Sequence, residues 1–165
     1  MRVLSFRVGG EFFAVDVTLV EAVARKMAVT PVFAAPVEIS GIANMKGKVV
    51  TVINLYRLLG YKEKRNDKRV QGTIDAVVFK SLTGGADLMA LTIGKPGNLI
   101  DIEEKAVRLL SGAAGEEESF CVSKIVEVGD RLYRIVDIES IMNKYKHIGE
   151  KAAETKRTEV AKNDE

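Results

Sequence analysis

The sequence has little of the chemistry on which metalloenzymes and redox proteins depend. Its 165 residues include one cysteine, Cys121, and one histidine, His147. A single cysteine cannot form an internal disulfide, and a single histidine cannot build a His-rich metal site. Counting therefore excludes zinc fingers, zinc ribbons, HExxH proteases and Cys-His redox motifs. We expect the protein to need neither a metal nor a cofactor.

An excess of one charge and long apolar runs are also missing. The chain carries 25 Lys+Arg against 23 Asp+Glu, a net charge of +2, which argues against a strongly basic nucleic-acid binder. No apolar run approaches the roughly 18 residues of a membrane span, and residues 1–6 lack the apolar core of a signal peptide. We expect a cytoplasmic protein, and its length suits one domain that folds without a disulfide or metal.

Short β-like segments hold most of the apolar residues. Alternation and β-branched content predict strands over 4–8, 12–17, 49–53, 76–79, 88–93, 120–128 and 132–136. The pairs Gly9-Gly10 and Gly129-Asp130 predict two-residue hairpin turns, because glycine reaches positive φ without a steric penalty. Many strands separated by glycine turns predict an all-β barrel or sandwich.

Helices are predicted to be few and short. Asn54 can cap a turn that ends at Gly60, and Asp137 can cap a helix with apolar residues at helical spacing through Tyr145. Residues 18–23 fit either a helical turn or a strand, and residues 94–97 are interpreted as a turn. From about residue 146 the chain has few large apolar residues, which predicts a solvated helical extension or a disordered tail.

A search for catalytic residues finds weak candidates only. The carboxylates Asp16, Glu21, Asp101 and Asp137 stand near predicted strand ends, where they usually cap or face solvent. Cys121 lies in an apolar run and is expected to pack as a small hydrophobic residue. The charged segment 62–69 could contact nucleic acid, but it lacks the aromatic residues that stack on bases, so a solvated loop is the favoured interpretation.

Residues 39–60 carry the most distinctive pattern. They describe a strand entered by glycine, a tight turn at Lys46-Gly47, a buried strand and a capped helical turn, and Gly47 is predicted to supply a positive φ. This stretch resembles the CheW-like domain of bacterial chemotaxis coupling proteins, whose pattern is roughly Gly-Ile-Ile-Asn-Leu-Arg-Gly followed by a β-branched strand and Asp/Asn-Leu. The matching residues are Gly41, Ile42, Asn44, Gly47, Val49, Val50, Val52, Ile53, Asn54 and Leu55.

The resemblance extends over about residues 4–145, with some departures. Residues 6–17 are similar to the family's opening hairpin, 20–23 to its Val-x-Glu-Ile element, 30–32 to its Thr-Pro-Val segment and 131–141 to its closing strand and helix start. Lys46 stands where the family has arginine, and Thr51 where it has proline. The family's Val-Asp-x-Val element is absent, and Thr92-Ile93-Gly94-Lys95 occupies that position.

The resemblance implies an all-β fold of two small five-stranded SH3-like barrels that share one hydrophobic core, with short helical turns and a C-terminal helix. Residues 1–148 would form a single domain. The first barrel would use about 15–70 plus a C-terminal strand, and the second about 70–130 plus the N-terminal strand. Residues 149–165 would form a charged tail.

The resemblance also implies a non-enzymatic adaptor that couples methyl-accepting chemoreceptors to the histidine kinase CheA. A barrel end would bind the regulatory domain of the kinase, and the groove between the barrels would bind the helical tip of a receptor. The protein would then lie in the cytoplasm, associated with receptor arrays at the inner membrane. The length of the chain leaves no room for the extra domains of CheA or CheV, which favours a stand-alone coupling protein.

The residues expected to contact a partner are Glu21, Gly41, Asn44, Lys46 and Gly47. In the family the motif arginine pairs with a glutamate that matches Glu21, so Glu21 and Lys46 are predicted to approach each other, with less geometric definition than a guanidinium would give. Gly41, Asn44 and Gly47 could equally serve only to build the turn. The β-branched Val20, Val23, Ile42 and Val49 are expected in the core.

Two alternatives stay open at this point. The chain could be a divergent CheW-like adaptor of a chemosensory pathway that does not control flagella. From a different class, it could be a small β-barrel that binds nucleic acid through residues 62–69, in which case binding would depend steeply on salt.

Overall fold

A computed structural model of the chain describes residues 1–61, 73–82, 84–85, 87–110, 120–146, 158 and 161–162. Its strands in chain order are β1 (Arg2–Val8), β2 (Glu11–Asp16), β3 (Val20–Ala28), β4 (Ile39–Met45), β5 (Lys48–Ile53), β6 (Thr73–Phe79), β7 (Leu88–Thr92), β8 (Lys95–Asp101), β9 (Val107–Leu109), β10 (Val122–Val128) and β11 (Arg131–Val136). The helical elements are α1 (Leu55–Leu58), α2 (138–146) and the 3-10 turns Val17–Leu19 and Glu104–Ala106.

The strands form two barrel-like sheets, so the predicted all-β fold is confirmed. One sheet has five strands in the order β3-β6-β7-β5-β4, and the other has six in the order β8-β1-β2-β11-β10-β9. An antiparallel bridge between Thr30 and Ile42 joins the chain after β3 to β4, and it brings the two edges of the five-stranded sheet together.

The division of strands between the barrels differs from the expected one. The segments containing β6 and β7 were assigned to the second barrel, yet both strands lie inside the five-stranded sheet, which spans residues 20–92. The six-stranded sheet combines the N-terminal hairpin with residues 95–136. The parallel pairing of β2 with β11 explains this arrangement, because it attaches the C-terminal hairpin to the N-terminal one.

The core has three parts, one between the sheets and one inside each barrel. The largest cluster takes side chains from both sheets and from α2, among them Phe6, Phe13, Phe79 and Ile141. Smaller clusters fill the interior of the five-stranded sheet and of the six-stranded sheet. Side chains alternate across a strand, so β6 sends Phe79 to the shared core and Val78 to its own barrel interior. The expected shared core is therefore present.

The predicted hairpins and caps are confirmed. Gly9 and Gly10 have φ values of 60° and 86°, and Gly129 has a φ of 65°, as the tight turns of β1–β2 and β10–β11 require. The Asn54 side chain accepts a hydrogen bond from the backbone N–H of Arg57 at the start of α1. Asp137 accepts one from the N–H of Ser140 at the start of α2.

Other predictions need correction or fall outside the described residues. Strand β8 begins at Lys95, within the stretch interpreted as a turn, and it pairs with β1. A 3-10 turn and then β3 occupy the stretch around 18–23, where turn and strand were both considered. The predictions for residues 62–69 and for the tail from 147 concern residues outside the described ranges, apart from 158 and 161–162.

Candidate partner-binding surface

Position 41 requires glycine because another segment of the backbone approaches it closely in the five-stranded sheet. It lies in β4 with a φ of 145°, and a Cβ atom placed on it would lie 2.1 Å from the carbonyl oxygen of Thr30. The same approach allows two backbone hydrogen bonds between Thr30 and Ile42, of 2.8 and 2.9 Å. Gly41 is buried, so its role in this structure is to let the chain after β3 lie against β4.

Asn44, Lys46 and Gly47 build the tight turn between β4 and β5. Lys46 has a φ of 51° and Gly47 a φ of 81°, which is the pattern of a two-residue turn with both central residues in the left-handed region. The Asn44 side chain accepts a hydrogen bond of 3.0 Å from the N–H of Gly47. The positive φ predicted for Gly47 is confirmed, and all three residues are exposed.

An exposed apolar segment runs toward the end of the β4–β5 hairpin opposite the turn, where Arg57 donates a hydrogen bond to the carbonyl of Val37. The Thr30–Ile42 bridge places the start of segment 31–38 against β4, and the side chains of Phe33 and Val37 in that segment are 99% and 66% exposed. Large apolar side chains this exposed commonly mark interaction sites when they cluster. Neither residue was predicted as a surface residue, because the proline-flanked segment has no alternation that would assign its side chains to a face.

Glu21 is not paired with Lys46 of the turn. Within the described part of the chain no ion pair joins Glu21 to Lys46, so the predicted direct pairing is absent from this structure. The strand register explains the separation, because the antiparallel bridge sets residues after Ile42 beside those before Thr30. Glu21, at the start of β3, is much farther along the chain from this bridge than Lys46 is. Both side chains are exposed.

The residues expected in the core divide between core and surface. Ile42 is buried, Val20 and Val49 are half-buried, and Val23 is 41% exposed. Val23 lies on β3, which has β6 on one side and forms an edge of the five-stranded sheet. Its β-branched side chain was predicted to be internal, but on an edge strand the outward face of such a residue meets solvent.

The carboxylates considered as catalytic candidates have structural roles or face solvent. Asp16 accepts hydrogen bonds from the N–H and hydroxyl of Thr18, and Asp137 caps α2. Asp101 pairs with Arg2 at 2.8 Å, and the hydrogen bond and charge of the guanidinium lower the pKa of this carboxyl. No group of three or more potential metal ligands is found among the described residues.

Tyr145 is the most perturbed titratable group in the described ranges. It lies in α2 against the shared core, and burial, with smaller contributions from Glu38 and Cys121, raises the pKa of its hydroxyl to about 12. The hydroxyl has no hydrogen-bond partner among the described residues. Cys121 is also fully buried, as predicted for a small hydrophobic residue. No helix in the described part is long and apolar enough to span a bilayer.

Comparison with known proteins connects this arrangement to one family. The family model for the CheW-like domain matches residues 2–146. The chain is 36% identical to a chemotaxis protein CheW of Thermotoga maritima over 59 residues, which are 36% of this chain and 39% of that protein. It is 21% identical to a chemotaxis protein CheW of Rhizobium meliloti over 140 residues, covering 85% of this chain and 86% of that protein.

The fold is shared with a solved structure. The crystal structure of the scaffolding protein TtCheW from Thermoanaerobacter tengcongensis superposes with a TM-score of 0.71 at 21% identity, covering 83% of this chain and 88% of that one. At this identity the likeness concerns the fold, and it agrees with the two barrel-like sheets and shared core described above.

Proposed function

The chain belongs to the CheW-like domain family, and from this premise we propose that it is a non-enzymatic adaptor that couples methyl-accepting chemoreceptors to the histidine kinase CheA. The family match over residues 2–146 supports a scaffold role in chemotaxis. The finer assignment of partners rests on two surfaces of the five-stranded sheet.

One observation carries the kinase part of the proposal. The exposed turn residues Asn44, Lys46 and Gly47 form one end of the β4–β5 hairpin, and the segment with the exposed Phe33 and Val37 runs toward its other end. Exposed apolar side chains can form the centre of a protein-binding patch, and exposed cations can lie at its rim. We assign the regulatory domain of the kinase to this surface.

The receptor part of the proposal rests on β3. Its outward side chains include Glu21 and Val23, both exposed, and Val23 is large and apolar. A helical receptor tip would lie along this strand and pack apolar side chains at i, i+3 and i+4 against Val23. Glu21 would then contribute to a partner contact directly, without Lys46, at the edge of that contact.

Such an adaptor would couple its partners through the geometry of the assembly that they form with it. The protein would supply two surfaces on one rigid sheet, and the coupling free energy would come from the difference in contacts between two states of the assembly. The protein would act in the cytoplasm, beside the receptor arrays at the inner membrane. The pairing of Glu11 with Tyr61 and with Arg134 ties the six-stranded sheet to the chain after α1, which helps to hold the two barrels in fixed orientation.

The binding test is a calorimetric titration of the full chain with the regulatory domain of the CheA-type kinase from the same genome. The unaltered chain is expected to bind with 1:1 stoichiometry, and Lys46→Glu to weaken binding at least about tenfold, as rim charges combined with an apolar centre do. Lys124→Glu is the matched control, because Lys124 is exposed on the other sheet. It is expected to change the affinity less than about twofold.

Phe33→Ser separates the apolar contribution from the charge. Phe33 is almost fully exposed, so its replacement should leave thermal unfolding unchanged and still weaken the kinase complex. Saturable binding that neither Lys46→Glu nor Phe33→Ser affects would refute the assignment of this surface. Absence of any binding by the folded, unaltered chain would refute the kinase partner itself.

A further inference from the structure

A second charged surface lies at the turn end of the six-stranded sheet. The β1–β2 turn, the β10–β11 turn and the bend before β8 come together there, and the N–H of Gly94 donates a hydrogen bond of 2.8 Å to the carbonyl of Arg7. This end belongs to a different sheet from the Lys46 turn. The family resemblance and the motif at 39–60 did not assign a role to it.

Strand register places three cations around one aromatic ring. Lys95 pairs with Arg7, Arg7 with Phe12, and Phe12 with Tyr133. Directly paired residues share a face of the sheet, so these side chains point to the same side. Arg131 joins them, because it stands two positions before Tyr133 on β11. We call Arg7, Lys95, Arg131 and the Phe12 ring between them the basic rim.

The two arginines of the basic rim both lie against the Phe12 ring. The guanidinium carbon of Arg7 is 5.1 Å from the ring centroid and that of Arg131 is 4.9 Å from it. Phe12 is itself packed on Tyr133, with centroids 5.5 Å apart. Cation–π contacts therefore hold two like charges on one ring, although like charges this close repel each other.

The cations of the basic rim lack a carboxylate in the described structure. Within the residues described, none of Arg7, Lys95 and Arg131 forms an ion pair. Arg7 uses one N–H group for the carbonyl of Gly10, at 3.3 Å, out of the five donors on a guanidinium. All three cationic side chains are exposed, so most of their hydrogen-bond donors face solvent.

Arg134 gives an internal contrast on the opposite face of the same sheet. It lies beside the Phe13 ring, at 5.9 Å from the centroid, and it pairs with Glu11. The sheet thus holds arginines against phenylalanines on both faces. Arg134 is paired with a carboxylate, whereas the rim arginines, among the described residues, are not. The missing charge on the rim side is the one that a ligand would supply.

We infer that the basic rim is a docking surface for an acidic segment of a partner protein, with glutamate or aspartate side chains that pair with Arg7 and Arg131. The guanidinium groups of Arg7 and Arg131 are held in place by stacking on Phe12. Each is planar and can donate two hydrogen bonds to one carboxylate. Binding such a segment would replace the repulsion between the two arginines by attraction. Lys95, a single point charge on the neighbouring strand, would extend the contact by one more acidic residue.

A peptide fits this surface better than a nucleic acid does. The Phe12 ring is already covered by the two arginines and by Tyr133, so it offers no free face on which a base could stack. Three cations would also neutralise only about three phosphates, which gives weak, nonspecific binding at physiological salt. The inference does not depend on the kinase and receptor assignment, because it concerns another sheet and a third contact.

The experiment uses the full chain labelled with nitrogen-15 and a peptide of six glutamates as the probe. Amide shifts recorded during titration locate the contact, and fluorescence anisotropy of a labelled peptide gives the affinity. The expected result is that shifts concentrate at Arg7, Phe12, Lys95 and Arg131. Arg131→Glu should weaken binding about tenfold or more, since it both removes and reverses a paired charge.

Lys124→Glu is the matched control, with the same charge change on the same sheet outside the rim. Equal loss of binding in Lys124→Glu and Arg131→Glu would show nonspecific attraction and overturn the inference. Shifts centred elsewhere, or tighter binding of a six-nucleotide oligo-dT than of the peptide, would also overturn it. If Arg131→Glu does not fold, Arg7→Gln together with Lys95→Gln tests the same surface without charge reversal. No kinase or receptor is present, so this outcome is separate from that of the proposed function.

Discussion

The interiors of the two barrels differ in the size of the side chains that fill them. The five-stranded sheet is filled by small and medium residues, including Ala43, Ala76 and Ala90, whereas the six-stranded sheet has Tyr133 inside and Phe12 packed at its rim. Small side chains let the strands of the first sheet close tightly, with Gly41 against Thr30. In the second sheet, Arg7 and Arg131 lie over the Phe12 ring at the rim.

Because of this difference, different parts of the two sheets are available for contact with a partner. In the five-stranded sheet, β7 is buried along its whole length, because one face meets the shared core and the other meets the barrel interior. Its contacts with partners must therefore come from edge strands, turns and the 31–38 segment. In the six-stranded sheet the turn end itself is exposed, and the basic rim lies there.

The largest expected effect concerns the core that both sheets share. Phe79→Ala removes a fully buried ring from that core, and it should lower the free energy of unfolding by about 3–5 kcal/mol. Val78→Ala, the neighbour that faces the interior of one barrel, should cost about 2 kcal/mol. Urea unfolding followed by circular dichroism measures both. An equal cost at the two positions would contradict a loss that grows with the volume of the buried side chain removed.

The next effect concerns the close approach that shuts the five-stranded sheet. Gly41→Ala places a methyl group into the Thr30 carbonyl at a positive φ, and it should cost about 2–4 kcal/mol from strain and steric overlap together. Gly47→Ala meets no neighbouring atom and should cost about 1 kcal/mol, from the left-handed backbone alone. Thermal unfolding of both variants checks this. A smaller loss for Gly41→Ala would show that the Thr30–Ile42 bridge is not essential.

A smaller effect concerns the Tyr145 hydroxyl. Tyr145→Phe removes an oxygen that is buried without a partner among the described residues, so below pH 9 the free energy of unfolding should stay within about 1 kcal/mol or rise. Burial raises the pKa of Tyr145 from 10.0 to about 12, so the unfolded chain ionises first as the pH rises. The unaltered protein therefore loses stability above about pH 10, and Tyr145→Phe should lose less. Parallel losses in both proteins would contradict this.

The smallest expected effect concerns the Arg2–Asp101 pair at the free end of β1. The Arg2 hydrogen bond and charge lower the pKa of Asp101, so any stabilisation is present above the unfolded-state pKa and is lost as the pH falls through the folded-state pKa. Both groups are exposed, so Arg2→Gln should leave thermal unfolding at pH 7 almost unchanged. Carbon-13 NMR titration should show the pKa of Asp101 rising in this variant. An unchanged pKa would mean that the pair does not persist in solution.

Much of the fold could be predicted from local sequence. The glycine turns, the Asn54 and Asp137 caps and most strands follow from backbone propensity and alternation, which act over a few residues. The assignment of strands to barrels could not, because the parallel pairing of β2 with β11 and of β5 with β7 joins residues far apart in the chain. Strand β8 was missed for a related reason, since Pro96 and Gly97 favour a turn locally while pairing with β1 overrides that preference.

The turn in the candidate site could be predicted from the sequence, but the arrangement of the residues around it could not. The Lys46-Gly47 turn follows from residue types that tolerate positive φ. The separation of Glu21 from Lys46 depends on the register across the Thr30–Ile42 bridge, and the exposure of Phe33 depends on the path of the 31–38 segment. Neither property has a periodic signal, so neither could be read from the order of residues alone.

The most direct test of the adaptor account is simultaneous binding. The full chain, the regulatory domain of the CheA-type kinase and a soluble receptor-tip fragment are mixed, and sedimentation velocity determines which complexes form. A ternary complex is expected, because the two proposed surfaces use different residues. The kinase surface includes Lys46 and Phe33, and the receptor surface includes Val23. Displacement of the kinase domain by the receptor fragment would show one shared surface and would contradict the account.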